Sequence, residues 1–350
     1  REVNNRIFEK QQRDNDLTRR IHSLKRDLKE EISRFRRDFK PDWLIAENIL
    51  SLPVHLPLGL ALAEHLSETG TRCIAHHHDF WWERHRFLGS PAEDLLRAAF
   101  PATSPNIRHV VINSIAQRQI AYRAGLPAHL IPNVMDFHQP PPPQDRKTRR
   151  LREDLDIPEG NLLLLQPTRI VPRKRIEKTL ELSSWLDRPN TVLVTHDAGD
   201  EGNDYLDYLK RLADALKVDF RAASRHFEQE RRKDDSDSTV FSLADAYACA
   251  DLVTYPSRVE GFGNAFLETI YHKRPLVMNA YEIYRVDICP KGFRTMQLDN
   301  FPSRELIREV RDLLDSPDRV RGITEANFEL GKRHFSYGNL ETCLTNLLRT

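Results

Sequence analysis

Between Leu252 and Met278 the sequence passes from an apolar run through a glycine-containing turn into a helical pattern and out to a second apolar run. The first run, Leu252 to Tyr255, meets a turn that carries Glu260, Gly261, Phe262 and Gly263. Ala265, Phe266, Thr269 and Ile270 then share one side of a helix, and Pro275 stops it before the run to Met278. Strand, turn, helix, strand is a βαβ unit. It commits the chain to a parallel sheet with a right-handed crossover, and it puts the turn at the carboxyl end of the first strand. Such a turn presents backbone N–H groups at a helix N-terminus, where hydrogen bonds and dipole both favour a phosphate. Gly261 and Gly263 let the backbone come close to an anion.

Two carboxylates bracket this turn: Glu260 on it and Glu268 eight residues on, inside the helix. Carboxylates repel phosphate but accept hydrogen bonds from hydroxyls. A ligand with hydroxyls on both sides of a diphosphate would use both, and a nucleotide sugar has that layout. The plainer reading is an ordinary helix start with ordinary acidic residues. Glu260, Gly261, Phe262, Gly263 and Glu268 resemble, position by position, the E-x7-E signature of family-4 glycosyltransferases with the GT-B fold. That resemblance implies an α/β chain of two Rossmann-like domains facing a cleft.

The remainder of the chain alternates in the same way. A second strand, Asn161 to Gln166, leads into Pro167-Thr168-Arg169-Ile170-Val171-Pro172-Arg173-Lys174-Arg175 and a helix. Four cations at a strand-to-helix junction are disfavoured by the helix dipole unless an anion offsets them. The resemblance implies that Arg169 and Lys174 hold the donor diphosphate. Arg173 joins them, and Arg175 stands where relatives often carry glycine. Phe262 and Asn264 complete the expected donor set around Gly261, Gly263 and Glu268.

In the first half, the strand Arg72 to Ala75 ends in His76-His77-His78-Asp79-Phe80-Trp81-Trp82-Glu83-Arg84. Three readings compete there. His76 and His78 share a strand face and His77 takes the other, so two imidazoles could hold a metal, but no further ligand is evident nearby. A purely structural role is the second reading. The third is a sugar site, with aromatic faces on apolar sugar faces and His and Asp on hydroxyls. The resemblance favours the third, with His78 facing the transferred sugar and Asp79, Trp82 and Asn48 on the acceptor side. It implies no metal and no cofactor beyond the nucleotide-diphosphate sugar, GDP- or UDP-linked, as donor substrate.

Composition constrains the rest. Basic and acidic residues number 53 and 52, so no global field favours nucleic acid or an anionic membrane. No apolar run approaches the ~20 residues of a membrane span, and Cys73, Cys249, Cys289 and Cys343 lack disulfide or zinc spacing. These features predict a cytoplasmic protein. Residues 1–40 hold thirteen basic and eight acidic residues. Leu17, Ile21, Leu24, Leu28, Ile32, Phe35 and Phe39 form one stripe on a long helix. The helix packs on the first domain or, since the spacing is nearly heptad, makes a homodimer contact.

Pro140 to Pro143 form a stiff extended segment and the predicted linker. The expected domains are 1–139, a linker at 140–146, a donor domain at 147–335, and a terminal helix at 336–350 that crosses back to the first domain. The chain opens on a helix rather than on a strand and glycine-rich loop, so the first domain is expected to be truncated. Pro132-Asn133-Val134-Met135-Asp136 resembles the family's interdomain link, with Val134 where relatives often carry glycine.

The resemblance implies a retaining, metal-independent hexosyl transfer from a nucleotide sugar to a small polar acceptor. Phe-Trp-Trp-Glu-Arg, the Glu260–Glu268 stretch and residues 287–293 look most like mannosylglucosylglycerate synthase-like enzymes, which suggests a glycerate-type glycoside as acceptor. The alternatives are an inactive GT-B binding or assembly module, given the missing opening segment, and a GT-B sugar-nucleotide epimerase.

Overall fold

A computed structural model describes residues 2–199, 203–228 and 240–349. It divides into two compact units, Arg1–Pro132 and Asn133–Thr350. The end of the His196–Gly202 loop and most of the charged 228–238 stretch lie outside the described residues.

The first unit is a four-stranded sheet in the order β1 (Leu44–Glu47), β2 (Cys73–His77), β3 (Ile107–Val111) and β4 (Ala128–Leu130). Every pairing is parallel. The register sets Glu47 opposite His76, so the ends of β1 and β2 stand side by side. Gly70 and Gly125 end the two helices that follow β1 and β3, both in the left-handed conformation that relieves a helix C-terminus. Asn113 caps the second by accepting from Ala116 N–H at 2.7 Å.

The long helix spans Asn15–Phe39, with Asp14 as its N-cap. Leu17 and Ile21 are buried, and Leu24 and Ile32 pack at the edges of the unit's apolar clusters. The stripe's first half therefore packs within its own unit. Phe35 and Phe39 are exposed and stack on each other at 5.4 Å.

The second unit holds a six-stranded parallel sheet. Its strands are β5 (Leu162–Gln166), β6 (Asn190–Val194), β7 (Asp219–Ala222), β10 (Leu252–Tyr255), β11 (Leu276–Met278) and β12 (Met296–Gln297). A separate short pair joins β8 (Phe227–Glu228) to β9 (Phe241–Ser242). The order β12-β11-β10-β5-β6-β7 makes β5 and β10 neighbours from which the connections run outward in opposite directions. That is the topological switch point, where open α/β sheets leave a crevice at the strand carboxyl ends. The core beneath it gathers Leu164, Val192, Val194, Leu252 and Val277 from the strands with Leu180, Leu209 and Val310 from the helices. The prolines 140–143 fall within this second unit.

Candidate active site

The two loops singled out by sequence leave the carboxyl ends of β5 and β10, on either side of the switch point. They meet. Lys174 forms an ion pair with Glu260, Arg173 Nη1 lies 3.6 Å from the same carboxylate, and Arg258 N–H donates to Arg173 O at 3.0 Å. Gln166, the last residue of β5, holds the cationic loop from below. Its amide donates to Lys174 O at 3.0 Å, and its Oε1 accepts from Thr179 at 2.5 Å. Sequence reasoning missed Gln166, because a buried amide ending an apolar strand was the only signal.

Lys174 is buried, a position that the sequence alone would have placed in open solvent. Burial lowers its pKa, and the Glu260 charge acts against that fall. Its ammonium also lies 5.3 Å from the centre of the Tyr255 ring. Arg175 turns the other way: it takes a left-handed backbone conformation and its guanidinium bonds Asn300. Among the described residues Arg169 has no ion-pair partner. Ile176 N–H, at the start of the following helix, donates to the Tyr205 hydroxyl at 2.8 Å.

On the β10 side, Gly263 sits at φ +108° and precedes the helix Asn264–Tyr271. A Cβ there would overlap the Tyr281 hydroxyl, which donates to Phe262 O at 2.6 Å. Glycine is thus required by both conformation and space. Phe262 is buried, whereas Asn264 is exposed and bonded to Asn133 at 2.7 Å. Glu268 accepts from the Tyr247 hydroxyl at 2.9 Å. Burial raises its pKa; the Tyr247 hydrogen bond and the Lys174 charge oppose the rise.

Glu268 lines a cavity of 590 Å³ in the second unit with Tyr247, His272, Thr195, His196 and Phe227. Tyr247 and His272 stack there at 4.8 Å. A cavity of this size, edged by a carboxylate, has room for a ribose and base. The cations, the glycine-opened helix start and Glu268 all belong to the second unit.

In the first unit, Glu47 lies between two imidazoles: Oε1 is 3.0 Å from His76 Nδ1, and Oε2 is 3.2 Å from His78 Nε2. Asn48, at φ +57°, accepts from His78 N–H at 2.7 Å and fixes that turn. Burial lowers the His78 pKa, with the His76 ring adding to the effect and Glu47 opposing it. Asp79 pairs with Arg84. Trp82 stacks on Phe80 at 4.4 Å, has Arg123 5.6 Å from its ring centre, and donates to Gln119 at 2.7 Å. Its ring is engaged inside the unit. His77 points to the other face of β2, where Nε2 meets His109 Nδ1 at 2.9 Å.

No protein-family model matches the chain. It is similar to mannosylglucosylglycerate synthase of Thermotoga maritima, 36% identical over 335 residues, covering 87% of this chain and 75% of the relative. The same synthase of Petrotoga mobilis is 33% identical over 84% of this chain and 75% of its own length. Among solved structures, a glycosyltransferase from Rickettsia africae superposes with a TM-score of 0.68 at 15% identity, over 92% of this chain and 79% of that one. Anabaena Alr3699/HepE, solved in complex with UDP-glucose, gives 0.65 at 15% identity over 92% and 82%. The switch-point sheet, the paired loops and these likenesses agree: the chain belongs to the mannosylglucosylglycerate synthase family of GT-B glycosyltransferases.

Proposed function

We propose that the protein is a retaining transferase that moves a hexose from a nucleotide-diphosphate sugar, GDP- or UDP-linked, to a small polar acceptor of the glycerate-glycoside kind. The observation that carries this reading is the meeting of Lys174 and Arg173 with Glu260 at the switch point. Without a donor the ammonium and carboxylate neutralise each other. An arriving diphosphate offers Lys174 stronger anionic oxygens, and Glu260 is released to accept sugar hydroxyls. Arg169, Lys174 and the N–H groups at the start of the helix Asn264–Tyr271 then face charge that grows as the diphosphate leaves. With the phosphates met by protein cations, transfer needs no metal bridging them. Glu268 takes the ribose, and the cavity beside it takes the base. His78 faces the transferred sugar, and Asn48, Asp79 and Trp82 serve the acceptor side. The names of the two synthases support mannose as the hexose and a glucosylglycerate as the acceptor.

The test is incubation with GDP- and UDP-linked hexoses and glucosylglycerate, with the anomeric proton of the product followed by NMR. A new glycoside with the donor's anomeric configuration supports the reading. Donor binding without any product would favour an inactive binding module, and an inverted product would remove the retaining assignment.

A further inference from the structure

We propose that Glu47, His76 and His78 form a binding site for one divalent transition cation of the zinc, cobalt or manganese class. The strand register builds it. Glu47 ends β1 opposite His76 on β2, and His78 lies two residues on, on the same face. The three ligand atoms all lie within 4.8 Å of one another, and the carboxylate oxygens are 3.0 and 3.2 Å from the two imidazole nitrogens. Donors bound at about 2.0–2.2 Å around one zinc ion stand roughly 3.3–3.5 Å apart, so small movements of the side-chain tips would seat a cation among them. Two imidazoles and a carboxylate select zinc, cobalt, manganese or iron over magnesium and calcium.

Three protein ligands leave positions open, the arrangement of a working site rather than a structural one. Glu47 is 58% exposed, which keeps those positions reachable from solvent. Asp79 is engaged by Arg84 and supplies no fourth ligand. Asn48 holds the backbone of His78 and keeps its ring near the carboxylate. His76 Nε2 is buried without a hydrogen-bond partner. The site therefore lacks one outer-shell bond of the sort whose loss costs about 10–100-fold in affinity, and the cation should exchange readily. The two sequence-visible histidines lacked their third ligand because Glu47 reaches them only through strand pairing.

The inference shares His78 with the proposed transfer, but its readout is cation binding to the protein alone, so the two readings can fail separately. Untagged full-length protein, stripped with chelator and then freed of it, is titrated with Co²⁺ and followed by visible ligand-field absorption. The expected result is saturation at one cobalt per chain, displacement by Zn²⁺, and at least about tenfold weaker binding in His76→Ala and in Glu47→Ala. Glu47→Ala changes an exposed side chain, so it keeps the test valid if His76→Ala fails to fold. Absent absorption in the wild type, or binding undiminished in a folded Glu47→Ala, would overturn the site.

Discussion

At the scale of single residues, Lys174 and Glu268 occupy opposite ends of the proposed donor and should fail differently. On the proposed reading Lys174 faces charge that develops in the transition state, and removing such a donor costs about 10²–10³ in turnover. Lys174→Ala should therefore lower kcat strongly at saturating donor. It should also lower stability, because Glu260 is left partly buried with Arg173 at 3.6 Å and the Tyr255 hydroxyl as its remaining partners. That loss should fall below the roughly 3–5 kcal/mol of a fully buried pair stripped of one partner. The ribose contact proposed for Glu268 would be similar in ground and transition states, so Glu268→Gln should mainly raise the donor KM. Steady-state kinetics with a circular-dichroism melt on each variant checks both. Loss of turnover in Glu268→Gln with only a KM change in Lys174→Ala would reverse the assignment. The residue types at both ends were legible in the sequence. The Lys174–Glu260 pair was not, because residues 86 positions apart meet only through the β5–β10 neighbourhood.

At the scale of elements, the β10 turn depends on a glycine. Gly263→Ala must bring a Cβ into the Tyr281 hydroxyl at φ +108°, a clash and strain worth about 1–3 kcal/mol. A lower melting temperature with weakened donor binding is expected, and an unchanged protein would show that the turn has another conformation open to it. In the first unit, the buried His77–His109 pair makes stability pH-dependent. Burial lowers both pKa values, that of His109 from the usual 6.5 to about 4. Above pH 6.5 neither folded nor unfolded chain protonates these rings. As pH falls towards 4 the unfolded chain takes up protons that the folded one refuses, so stability declines at up to about 1.4 kcal/mol per pH unit for each histidine. Melts between those pH values should show the decline, and His109→Gln should flatten it; an identical slope in the variant would contradict the assignment. The strongly patterned elements, β5, β10 and the helix between β10 and β11, were readable from periodicity. Strand β7, Asp219–Ala222, was not, because an edge strand of alternating charge carries no apolar run. Strand β12 has two residues, too few for any period to show.

At the scale of the whole molecule, the parallel sheets and the order β12-β11-β10-β5-β6-β7 bring widely separated motifs together. The two loops become neighbours because β5 and β10 pair. Among the described residues no helix is long and apolar enough to cross a membrane. The proposed diphosphate ligands all belong to the second unit, whereas the proposed cation site belongs to the first. Removing cations should therefore leave donor binding intact. The central claim is that protein cations at the switch point bind the diphosphate, and calorimetric titration with GDP and UDP in the presence of chelator tests it most directly. The account predicts one site per chain for at least one of the two, unchanged by chelator and weakened about tenfold or more, roughly 1.4 kcal/mol, in both Arg169→Ala and Lys174→Ala. Binding that vanishes in chelator, or that persists undiminished in both variants, would contradict it.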